Sequence, residues 1–130
     1  MQTNGGRDLI SNACFTTGAQ PAAANYLALT ANNGAPGAGD TTLTGEITTG
    51  GGGLVRAQGI VAHTGGTATT TISKTFTANG SDSLPVTLAK YGLFNAASSG
   101  TLAFESLFAA TATLSAVGDA VTLTVTVTVS

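Results

Sequence analysis

Aliphatic and hydroxyl side chains alternate without a break in DAVTLTVTVTVS at 119–130. Val121, Leu123, Val125, Val127 and Val129 fall on one side of an extended chain, and Thr122, Thr124, Thr126 and Thr128 on the other. A period of two is the signature of a strand with one buried face. No lysine, proline or glutamate interrupts it, although natural edge strands usually carry such a residue to stop one chain pairing with another. The segment is therefore expected either inside a sheet or with its edge covered by a partner. ATTTISKTFTA at 68–78 repeats the alternation, with Thr70, Ile72, Lys74 and Phe76 set against Thr71, Ser73, Thr75 and Thr77.

The same reading gives strands at NYLALT (25–30), LVRAQGIVAHT (54–64, with Gly59 as a candidate bulge), VTLAKYGLFN (86–95), TLAFESLF (101–108) and TATLSA (111–116). Gly, Pro, Asn and Asp in ANNGAPGAGDTT (31–42) forbid regular structure, and NGSDSLP (79–85) reads as a turn. About seven or eight short strands separated by such turns predict an all-β domain, a single antiparallel β-sandwich or a jelly-roll or tulip-like barrel, over residues 25–130. Residues 1–24 differ. Leu9, Ile10, Ala13 and Cys14 recur at helical spacing in RDLISNACFTT, and Asp8 suits a helix start. Small polar flanks surround that stretch. The expectation is an extended arm holding at most one short helix, anchored through Leu9, Ile10, Cys14 and Phe15 and ordered only on a partner surface.

Composition narrows the function. Only 8% of the 130 residues are charged, against roughly 25% in ordinary soluble domains, so the surface must be largely Thr, Ser, Asn, Gly and Ala. Four basic residues, a net charge of −2 and 5% aromatics supply neither a phosphate-tracking groove nor a base-stacking platform, so no nucleic-acid partner is expected. No apolar run approaches the ~20 residues of a membrane span, and the N-terminus lacks the basic and apolar regions of a signal peptide. Synthesis and folding in a cytoplasm, with no membrane partner, are expected.

Candidate chemistry is sparse. Cys14 is the only cysteine and His63 the only histidine, too few for a structural zinc site. A catalytic His63 would need a nucleophile and an orienting carboxylate, and nothing in AHTGG points to either. The glycine runs 34–39 and 50–53 lack the lysine and helix context of a phosphate loop. Asp40 and Glu46 flank TTLTG, but nothing resembles a twelve-residue calcium loop. No enzymatic activity, cofactor or metal is expected. With so few charges, ion pairs across a subunit interface would have to draw on Arg7, Arg56, Lys74 and Lys90, with Glu46, Glu105 and Asp119 as their partners.

NYLALT, GDTTLTGEI, GLVRAQGIVAHTGG, SKTFTA, VTLAKYGLFNAASSGTLAFESLF and the Thr/Val-alternating end follow one another through residues 25–130. In this order they resemble a group of small structural proteins of tailed bacteriophages, commonly labelled head decoration, minor capsid or tail-fibre-like proteins. The resemblance implies a virion structural protein on the capsid surface, made in the host cytoplasm. Its partners would be the major capsid protein and copies of itself, as a homotrimer. The alternative is a tail-fibre or tail-tip module that recognises a host receptor. Scarce aromatics and a candidate anchoring arm favour decoration.

Overall fold

A computed structural model describes residues 1–130. Helix α1 (Asn4–Phe15) is followed by seven strands: β1 (Tyr26–Thr30), β2 (Ala57–Gln58), β3 (Ile60–His63), β4 (Thr69–Thr77), β5 (Val86–Phe94), β6 (Leu102–Leu114) and β7 (Ala120–Thr128). Every pairing is antiparallel. The strands form a four-stranded sheet, β2-β1-β5-β6, and a three-stranded sheet, β3-β4-β7, as the all-β sandwich expectation requires.

The main core lies between the two sheets. Leu27 and Leu29 of β1, Leu88 and Leu93 of β5 and Leu114 of β6 meet Ile72 and Phe76 of β4 and Leu123 and Val125 of β7. A second cluster, Ala28, Leu43, Phe94 and Leu102, packs on the opposite side of the four-stranded sheet, with Leu43 supplied by the loop after β1. β1 and β5 are thus buried on both faces, so their sequences run apolar where half-buried β4 and β7 alternate.

The stretch 54–64 does not form one strand. β2 pairs with β1 in one sheet and β3 with β4 in the other, so the chain changes sheet at Gly59. The Gly59 N–H donates to the Asn25 carbonyl at 2.8 Å. A Cβ there would stand 2.6 Å from the Ile72 Cγ2 and 3.2 Å from the Leu27 Cδ1, so only glycine lets the backbone pass this close to the core. The segments 101–108 and 111–116 are likewise one strand, β6, and Ala109 and Ala110 between them do not break it. Its register against β5 shifts between Leu88 and Lys90 and between Leu93 and Phe94.

Two expectations change in the terminal segments. β7 is an outer strand of its sheet, so the interior position allowed for it is ruled out. The arm, for its part, orders against its own chain. The Thr3 Oγ1 accepts the Gly6 N–H at 3.0 Å as the N-cap of α1, and the same hydroxyl donates to the carbonyls of Leu102 and Ala103. The helix thereby begins at Asn4, which leaves Asp8 in its second turn and the first turn without an acid. Ahead of it, the Thr3 N–H bonds the Ala103 carbonyl and the Glu105 N–H bonds the Met1 carbonyl, both at 3.0 Å.

Candidate functional site

The structure brings the sequence-selected charges together in pairs within the chain. Arg56 lies just before β2, and its guanidinium grips Glu46 with both arms, Nε to Oε1 at 2.8 Å and Nη2 to Oε2 at 2.7 Å. Its Nη1 donates to the carbonyls of Ala96 and Ser99, and its plane covers the Phe94 ring 3.5 Å from the centroid. A bidentate, stacked arginine in this position fastens three segments and has little left to offer a ligand. The open hollow beside it, of about 460 Å³, is walled by the Thr48–Gly51 and Ala97–Ser99 loops, which add no further ionisable group.

The second pair is buried. Glu105 of β6 is 0% exposed and Lys90 of β5 3%. The register shift after Leu88 explains how Lys90 gets there. Leu88 and Lys90, two residues apart, would share a face of a regular strand, but the irregularity leaves Leu88 in the core and turns Lys90 toward the loop after β1. There the Lys90 Nζ lies 3.3 Å from the Glu105 Oε2 and donates to the Gly34 carbonyl at 3.2 Å. The Gly37 N–H is shared between the Glu105 Oε1 at 3.2 Å and the Asp40 Oδ2 at 2.8 Å.

The two carboxyl groups meet at the Gly37 N–H, and each shifts the other's titration. Burial, together with the bond to Asp40, pushes the Glu105 carboxyl above its ordinary value. The bond from Glu105 and the Gly37 N–H hold Asp40 below its own. The cluster pins the loop 31–42 over the outer face of the four-stranded sheet. Both this cluster and the Arg56 pair close within the chain. Asp40 and Glu46, the carboxylates flanking TTLTG, turn to different partners.

The remaining candidates are dispersed. Lys74 is half-buried on the core-facing side of β4, opposite Leu123, with no carboxylate partner. Arg7 is exposed on α1. The His63 Nδ1 meets the Thr69 carbonyl at 2.9 Å and the Thr70 hydroxyl at 3.2 Å across the β3–β4 hairpin, with no acid among its partners. Asp119 accepts the Ser115 and Ala116 N–H groups in the turn before β7, and these bonds hold its carboxyl below the ordinary value. Among the arm residues, Leu9 is half-buried, Ile10 is 40% exposed, Phe15 is 82% exposed and Cys14 is exposed.

Sequence reasoning missed two positions. Thr3, 0% exposed, fastens the arm to β6 of its own chain. Its signal was a threonine before a helical stretch, a favoured N-cap. Asp82 was passed over as a turn acid, yet its Oδ2 accepts the Gly53 and Asn79 N–H groups and ties down the glycine run 50–53. The chain matches no protein-family model, and no curated protein is significantly similar to it.

Proposed function

We propose that the chain is a structural subunit of a virion, a head decoration protein that binds the outer capsid surface as an oligomer and stabilises the shell. The observation that carries this reading furthest is α1. Gly6 is its only buried residue, it rests on the start of β6, and it carries Phe15, at 82% the most exposed of the protein's large apolar side chains, with Ile10 exposed on the same helix. Such side chains on an ordered helix fit a protein surface as partner. The resemblance of residues 25–130 to phage structural proteins names the class of partner, the major capsid protein. The charged clusters support the reading in a second way, since each serves to fasten a loop and neither presents a nucleophile or a base to a cleft.

The test is to add purified protein to heads that lack it and measure saturable binding and the temperature at which the heads rupture. Binding that raises the rupture temperature until sites fill, and that weakens with Phe15→Ser, is the expected result. Absence of binding to heads together with a few copies on tails would replace decoration with the tail-module alternative.

A further inference from the structure

Two open sheets have four edges, and here two are short and a third is covered over its first part. β2 and β3 are only two and four residues long. The first part of the β6 edge is covered by Met1–Thr3. β7 has nine residues and nothing against its outer side. An uncovered strand of that length is what natural proteins avoid unless it has a partner.

The groups it offers follow from the ladder. The Val129 N–H donates to the Ala68 carbonyl and the Ala78 N–H to the Asp119 carbonyl, both at 2.8 Å, so odd-numbered residues of this strand bond toward β4. The even-numbered Thr122, Thr124, Thr126 and Thr128 therefore aim their backbone N–H and C=O groups at the free edge. TLTVTVT, from Thr122 to Thr128, reads almost identically in both directions, so antiparallel pairing with its own copy sets threonine against threonine and aliphatic against aliphatic.

We propose that β7 is a self-complementary edge at which two copies of this chain pair about a two-fold axis at Val125, joining their three-stranded sheets into one continuous sheet. Thr122 then lies opposite Thr128 of the second copy and Thr124 opposite Thr126. Four threonine pairs exchange about eight backbone hydrogen bonds. On the inner side Val125 meets its own copy, Leu123 meets Val127, and Val121 meets Val129, which is 72% exposed in the single chain.

A second feature selects the same occupant. Beside this edge the sandwich opens into a cleft of about 320 Å³, lined by Phe108, Ala109, Ala110 and Ala112 of β6 and by Val121 and Leu123 of β7. An added strand must present aliphatic side chains to that cleft at every second residue. β7 is itself such a strand. No residue from 120 to 129 is charged, so two copies meet without repulsion. Isologous pairing closes on itself and yields dimers or assemblies of dimers, in place of the three-fold association expected from the resemblance. It holds wherever in a virion the protein resides.

The experiment is sedimentation equilibrium of the full chain over a concentration series, beside three variants. The wild type is expected to reach twice the mass of the 12.6 kDa chain. Thr124→Pro removes an N–H that points to the free edge and leaves the β4 ladder intact, so it should give a monomer with unchanged β-sheet circular dichroism. Should that variant fail to fold, Thr126→Lys decides, since it sets like charges across the axis and should also give a monomer. With Cys14→Ser as background, Val125→Cys should form a disulfide-linked dimer on oxidation and Thr124→Cys should not, because only residue 125 faces itself. A monomer at every concentration, a three-chain species, a dimer that survives Thr124→Pro or Thr126→Lys, or cross-linking indifferent to position overturns the proposal.

Discussion

At the scale of single residues, the Lys90–Glu105–Asp40 cluster makes stability depend on pH in two opposed ways. Glu105 titrates above its ordinary value, so its contribution is complete below the unfolded pKa and is lost as pH rises through the folded one. Asp40 titrates below its ordinary value, so its contribution is present above the unfolded pKa and is lost as pH falls through the folded one. The melting temperature should therefore peak in mild acid and decline on both sides. Glu105→Gln should flatten the decline toward neutral pH while leaving the acid limb, as thermal melts over a pH series would show. Lys90→Met leaves a buried carboxylate facing no cation, a loss of about 3–5 kcal/mol at neutral pH that shrinks once Glu105 is protonated. Urea titrations at neutral and mildly acidic pH measure both values.

At the scale of elements, Gly59 constrains the crossing from one sheet to the other. Gly59→Val would drive a branched side chain against Ile72 and Leu27, and overpacking of this kind costs about 1–3 kcal/mol. A lowered denaturation midpoint with an unchanged m-value is the expected readout. The elements themselves were largely legible. Alternation marked β4 and β7, continuous apolar runs marked β1 and β5, and the spacing of Leu9, Ile10, Ala13 and Cys14 marked α1. Membership of a sheet was not legible, because a period of two is the same in either sheet and the crossing hangs on one glycine whose neighbours, Leu27 and Ile72, are remote in sequence. The charged sites were legible as a short roster only. Arg56, Glu46, Lys90 and Glu105 were singled out, but their partners depend on loop closure and on a register shift that no local pattern encodes.

At the scale of the whole molecule, the two sheets have different duties. The four-stranded sheet is covered on both faces along β1 and most of β5 and carries the helix, the buried ion pair and the first residues of the chain. The three-stranded sheet turns a threonine face outward, where Thr75 and Thr122 bond across the strands at 2.8 Å. Stability and attachment should therefore separate. Thr3→Ala removes the helix cap and the bonds to β6 and should cost about 1 kcal/mol, whereas Phe15→Ser, at an exposed position, should leave the melting temperature within the small range usual for surface substitutions and act only on head binding. Calorimetry of both variants beside the binding assay tests the division. The passage from β2 to β3 bears on the join between the sheets. Side-chain packing alone would let two layers slide over one another under a sideways load. Here the backbone runs from one layer to the other through Gly59, so shear is taken up by covalent bonds, and the sandwich is laced as well as stacked.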